Sequence, residues 1–186
     1  MLEAFLVSTG LVAIGEIGDK TQLLSLVLAA RFRRPWPIVA GILVATLVNH
    51  AAAGGLGAWI AREVGLEIMT RVAGASFLAM ALWALIPDKL DESEVRNDVR
   101  GGVFWTTVVL FFMAEMGDKS QLATVALAAR YPSLVAVVAG TTLGMLIADV
   151  PVVLFGDAIA KKVPLVIVRR TAAAFFAILG ILALMQ

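Results

Sequence analysis

Cysteine is absent from the sequence, histidine occurs once, tyrosine once, and charged residues make up only 16%. Without cysteine there are no disulfides and no thiolate metal sites, and the redox compartment leaves no trace. The formal net charge is +1 and no basic tract appears, so nothing points to a nucleic-acid partner. Apolar residues are plentiful instead, at 61% of 186, with a mean hydropathy of +0.95. A soluble domain of this length could not hide that much apolar surface, so a lipid bilayer is the expected solvent. The opening "MLEAFLVSTG" carries neither a basic leader nor a small-residue cleavage site and is read as part of the first span.

A membrane-spanning helix needs about 20 mostly apolar residues. Six segments qualify: 2–30, 36–61, 68–86, 102–129, 133–160 and 163–185. The one hydrophilic stretch, "PDKLDESEVRNDVR" at 87–100, mixes both signs without apolar periodicity and reads as a solvated connector. The chain therefore divides into a first unit at 1–86, a charged linker at 87–101 and a second unit at 102–186.

The two units repeat. "EIGDKTQLLSLVLAAR" at 16–31 returns as "EMGDKSQLATVALAAR" at 115–130, an offset of 99 (115 − 16). The same offset, without gaps, carries Gly41 onto Gly140, Gly57 onto Gly156, Arg71 onto Arg170 and Phe77 onto Phe176. Register held through three segments indicates duplication of a three-helix unit. Three is odd, so the second unit enters the bilayer from the opposite side. The expected fold is an all-α integral membrane protein of six transmembrane helices, arranged as two inverted three-helix repeats with a site near the midplane. Basic residues set the orientation. Arg31, Arg33, Arg34, Lys89, Arg96, Arg100, Lys161 and Lys162 fall on one face, against mainly Arg62, Arg71 and Arg130 on the other. The positive-inside bias puts the linker in the cytoplasm and both termini outside.

Glu16 and Glu115 lie near the centres of their apolar segments, where a charged residue costs about 2.5–3.5 kcal/mol on insertion scales. On a regular helix Glu16, Asp19 and Lys20 share a face, with Gln22 beside Asp19, and Glu115, Asp118, Lys119 and Gln121 repeat it. Intrahelical pairs Glu16–Lys20 and Glu115–Lys119 are the structural alternative to a binding site. Four carboxylates against two lysines still leave a formal −2 in a low dielectric, which one divalent cation or two protons would neutralise. Carboxylates, the amide oxygens of Gln22 and Gln121, and the hydroxyls of Thr21 and Ser120 are hard donors. They suit Ca²⁺, Mn²⁺ or Mg²⁺ rather than copper or zinc. Thr21 and Ser120 point away from the acidic face of an ideal helix, and reach it only if the helix is distorted. Gly18 and Gly117 permit that, and segments 1 and 4 are long enough for tilting or a break. The lysines either hold the aspartates ionised or act as an internal cation in place of the metal.

Asn49 and His50 sit within segment 2, and the offset places His50 opposite Asp149. A lone membrane histidine is more often a hydrogen-bonded packing residue, which keeps His50 out of the ligand set. Asp149 precedes "VP", where the proline frees a backbone carbonyl. Asp149 and His50 are candidates for a proton path.

The motif E-x-G-D-K-[TS], present as "EIGDKT" (16–21) and "EMGDKS" (115–120) in a six-segment duplicated frame, resembles that of the Gdt family of cation/proton exchangers. That family includes the eukaryotic Golgi transmembrane protein 165 and bacterial manganese exporters; "GTTLGMLIADVP" (140–151) looks like its bacterial branch. The resemblance covers essentially the whole chain. It implies Mn²⁺ or Ca²⁺ moved against protons, with Glu16, Asp19, Glu115 and Asp118 as metal ligands. Lys20, Thr21, Gln22, Lys119, Ser120 and Gln121 would support them. It implies no enzyme activity and no cofactor, only divalent cations, protons and the lipid bilayer as partners. Short loops suit a bacterial inner membrane. Two other readings remain open at this stage. One is an exporter of an organic solute, which would not need four carboxylates. The other is an intramembrane lipid-pyrophosphate phosphatase, which would need an arginine clamp that no span supplies near the motifs. A passive channel fits less well with acids paired to lysines, since such a site has to be emptied.

Overall fold

The computed structural model describes residues 1–86, 102–156 and 165–185. The linker expected at 87–101, with Lys89, Arg96 and Arg100, lies outside the described residues, as do Lys161 and Lys162. The described chain is all helical, with no strand. Its elements are α1 (Leu2–Glu16), α2 (Lys20–Phe32), α3 (Pro35–Val64), α4 (Leu66–Trp83), α5 (Gly102–Glu115), α6 (Lys119–Arg130), α7 (Leu134–Phe155) and α8 (Leu165–Leu184).

Segments 1 and 4 are not single helices. Each is two helices in series, α1–α2 and α5–α6, parted at 17–19 and 116–118. At about 1.5 Å per residue the pairs are long enough to cross a bilayer, although neither half is. The shared helical face expected for Glu16, Asp19 and Lys20 is therefore absent: Glu16 ends one helix, and Asp19 is the N-cap of the next. Glycine is the cause. Gly18 and Gly117 sit at φ +82° and +76°, a region that strains any residue with a Cβ.

The other segments start and stop for ordinary reasons. Pro35 opens α3, where its missing N–H costs nothing. The Ser133 hydroxyl caps α7 by accepting from the Ala136 amide. Pro151 lies inside α7 and leaves a carbonyl one turn back without its helical donor. Among the described residues, α3 and α7 are the helices long and apolar enough to cross a membrane alone.

Polarity runs from outside to inside in the sense expected in lipid. Leu43, Val44, Leu47 and Val48 on α3 and Ile178, Ile181 and Leu182 on α8 are exposed, whereas Ser8, Thr46, Asn49, His50, Thr107, Thr141 and Asp149 are buried. The helices are held by close packing rather than by burial of oily faces.

That packing is reciprocal between the halves. A Cβ on Gly41 of α3 would lie 2.6 Å from the Thr107 side chain and 3.0 Å from the Phe104 carbonyl of α5. A Cβ on Gly140 of α7 would meet Ser8 and the Phe5 carbonyl of α1 in the same way. Ser8 and Phe5 are the residues 99 positions before Thr107 and Phe104. Helix α4 packs on α8, and the equivalent Phe77 and Phe176 meet with ring centroids 6.4 Å apart. Residues related by the 99-residue offset are thus in contact with one another.

Candidate cation site

Both motif breaks have the same construction. Asp19 and Asp118 are extended (φ −80°, ψ 169° and φ −81°, ψ 166°), and their amides donate to the Glu16 and Glu115 carbonyls. The positive-φ glycine amide would be orphaned in each break, and a glutamine one turn on satisfies it. Gly18 N donates to Gln22 Oε1 at 2.8 Å, and Gly117 N to Gln121 Oε1 at 2.7 Å. The amide nitrogens of both glutamines then cross to the other half: Gln22 Nε2 donates to the Ala148 carbonyl of α7, and Gln121 Nε2 to Asn49 Oδ1 of α3. The amide oxygens expected as metal donors are thus engaged in closing the breaks. The glutamines act as staples.

Neither aspartate side chain caps its own helix. Both face the interior, at the N-termini of α2 and α6, where the helix dipoles favour negative charge. Glu16, Asp19 and Asp118 are buried, and each offers an oxygen within 4.8 Å of the others. Two halves of the chain therefore contribute to one group of three carboxylates.

The geometry does not follow the intrahelical pairing that is the structural alternative to a binding site: the breaks separate each lysine from its own glutamate along the chain. The pairs run across. Lys119 Nζ lies 2.5 Å from Asp19 Oδ1, and Lys20 Nζ lies 4.0 Å from Asp118 Oδ1. The hydroxyls follow the broken geometry too. Thr21 Oγ1 donates to Glu16 Oε2 at 2.6 Å, and Ser120 Oγ lies 3.4 Å from Asp118 Oδ2.

Glu115 stands apart from the three-carboxylate group. Its Oε1 accepts from Thr46 Oγ1 of α3 at 2.7 Å, and its Oε2 is buried with no hydrogen-bond donor among the described residues. Asp149 Oδ1 accepts from Ser25 Oγ at 2.8 Å, and its Oδ2 has no donor among the described residues. His50 is fully buried one turn beyond Thr46, and neither ring nitrogen finds a partner among the described residues.

Sequence reasoning missed Thr46 and Ser25. A signal existed for each: Thr46 precedes Asn49 and His50 by three and four positions, hence on their face of α3, and Ser25 has the same relation to Gln22 and Thr21.

Half-helices meeting end to end at buried charged motifs, twice in one chain, are a construction used by membrane transporters to bind ions. The chain belongs to the GDT1 family of divalent cation/proton antiporters, whose family model matches residues 4–92 and 103–186. It is 48% identical over 182 residues to a candidate manganese exporter of Vibrio cholerae, covering 97% of this chain and 90% of that protein. It is 30% identical over 184 residues to a GDT1-like protein of Synechocystis, covering 88% and 87%, respectively. To GDT1-like protein 4 of Oryza sativa subsp. indica it is 27% identical over 188 residues, covering 88% of this chain and 66% of the rice protein. No solved structure matches. As a member of that family the chain is a transporter and not an enzyme; divalent cations and protons are its substrates and it uses no cofactor.

Proposed function

We propose that the chain exports a divalent cation, Mn²⁺ or Ca²⁺, in exchange for protons by alternating access, and that the two motifs form its midplane site. The observation that carries this reading is the meeting of Glu16, Asp19 and Asp118 from both halves within 4.8 Å. Glu115 joins them as the fourth acid, held ready by Thr46. Hard oxygen donors in that number suit a divalent ion of the Ca²⁺ or Mn²⁺ type. Four buried acids against two lysines leave two negative charges, which two protons neutralise as well as one divalent ion does, and this makes the two cargoes alternatives at the same oxygens. Release of metal on one side then follows protonation there. Asp149, buried with one oxygen lacking a donor among the described residues, and His50 at the equivalent position of the other half are the groups we assign to the proton path.

The layout we propose is six spans: α1–α2, α3, α4, α5–α6, α7 and α8. They form inverted units at 1–86 and 102–186 joined by the linker at 87–101. The reciprocal contacts of Gly41 and Gly140, and of Phe77 and Phe176, support a two-fold relation between the units. The odd number of spans per unit makes the relation inverted. We place the protein in a bacterial inner membrane with the linker cytoplasmic and both termini outside.

Proteoliposomes test this. Mn²⁺ or Ca²⁺ uptake under an imposed pH gradient should proceed with proton efflux, and Asp19→Asn or Asp118→Asn should abolish it. Replacing Glu16 and Glu115 together by Gln should do the same; coupled transport left intact in that variant would defeat the proposal. Flux indifferent to the pH gradient would indicate a channel. Failure of organic amines to compete would set aside an organic-solute exporter.

A further inference from the structure

The two motif lysines have the same sequence context but not the same place. Lys119 is buried, its side chain 7% exposed, and its ammonium is paired directly with Asp19. Lys20 is 22% exposed and stands 4.0 Å from Asp118, beyond hydrogen-bond distance. Asp19 is one of the three acids that converge from both halves. The cavity beside Asp19 and Lys119, bounded by Gly15, Gly18, Ala84 and Ala172, measures about 10 Å³, room for about one water. A Ca²⁺-like ion gathers 6–8 oxygen ligands. Asp19 is the one carboxylate lining that space, so an ion there would lack oxygen ligands while the Lys119 ammonium holds Asp19 Oδ1.

From this asymmetry we infer that Lys119 is a tethered competitor of the transported cation: Asp19 serves either the Lys119 ammonium or the metal, so loading the site breaks the Lys119–Asp19 pair. Lys20 does not play this part. The inference rests on the cation-site reading above and deepens it, because it chooses between the two roles the sequence leaves open for the lysines. An internal cation that returns to Asp19 helps expel the metal. It therefore sets affinity low enough for release. Lys119 acts through Asp19 and is a positioning residue.

The test is Mn²⁺ binding to the purified full chain in nanodiscs, at one pH, with Mn²⁺ as the probe and free Mn²⁺ read by electron paramagnetic resonance. Lys119→Met should bind Mn²⁺ about tenfold more tightly, which is the loss of about 1.4 kcal/mol of competition. Lys20→Met should shift the affinity by less than a third of that factor. In proteoliposomes Lys119→Met should lower both the half-saturating Mn²⁺ concentration and the maximal rate. A residue that merely supports the fold would raise the first. Lys119→Arg keeps the charge and should bind no more tightly than the wild type, which retains a test should Lys119→Met not fold. Unchanged or weaker binding in Lys119→Met, equal tightening in Lys20→Met, or tighter binding in Lys119→Arg would each overturn the inference. If the wild type binds Mn²⁺ and Asp19→Asn loses it, those results defeat the competitor role alone. If the wild type binds no Mn²⁺, the site reading fails and takes the inference with it.

Discussion

Single hydrogen bonds separate the two glutamates, although the repeated motif makes them equivalent. Glu16 receives its bond from Thr21 inside its own motif, while Glu115 receives one from Thr46 on another helix. The residue 99 positions after Thr46 is Met145, which has no hydroxyl to give, so the second glutamate is the one that depends on a neighbouring span. Thr46→Val removes that donor with little change of volume. A buried hydrogen bond to a charged group contributes about 1.5–3 kcal/mol, so metal transport at subsaturating Mn²⁺ should fall at least about tenfold with the fold intact. The measurement is initial uptake rate against protein that elutes as the wild type does. Wild-type uptake in Thr46→Val would remove Glu115 from the working site. The substitution leaves the bond from Thr21 to Glu16 in place, so residual binding should survive.

At the scale of elements, the decisive feature is the break. An uninterrupted helix would place Glu16 and Asp19 on one side, each near a lysine of its own motif, and the acids of the two halves would meet only by chance. The glycine at positive φ ends the first half-helix, reverses the aspartate into an N-cap and sends each lysine across to the other motif. Gly18→Ala and Gly117→Ala should each cost about 1–2 kcal/mol from the left-handed backbone alone. Thermal unfolding should register the loss in both, and transport should fall with it. Gln22→Ala and Gln121→Ala test the staple from the other end: each takes the acceptor from a glycine amide, half-buried at Gly18 and exposed at Gly117, so Gln22→Ala should cost the more, about 1–3 kcal/mol. If neither glutamine variant lowers stability, the breaks are held by packing instead.

For the molecule as a whole, the reciprocal glycine contacts and the Phe77–Phe176 pair support the two-unit layout proposed above, in which the units would rock about the site between them. The orientation proposed from the basic residues is open to direct measurement, because the chain has no cysteine to remove first. Glu3→Cys, exposed at the start of α1, should react with an impermeant maleimide added to intact cells expressing the protein. Ser93→Cys in the linker should react only after the membrane is opened. The reverse pattern would invert the topology and, with it, the direction of export.

Much of this was legible in the linear chain, for identifiable physical reasons. Apolar length announces a bilayer segment, since no other solvent accepts it. Duplication is visible because the 99-residue offset preserves residue types, and the four motif acids stand out because buried charge is expensive. What the chain alone could not decide is how those acids are oriented. Helical periodicity assigns Glu16, Asp19 and Lys20 to one face, and it fails at a glycine whose conformation depends on what receives its amide. That acceptor is Gln22, held in turn by a carbonyl on α7. Likewise, the identity of each lysine's partner, the support Thr46 lends to Glu115 and the inequivalence of Lys20 and Lys119 are contacts between spans. Local pattern carries composition, spacing and repeat. Which charge faces which is set by packing between helices far apart in sequence, and only the tertiary structure contains it.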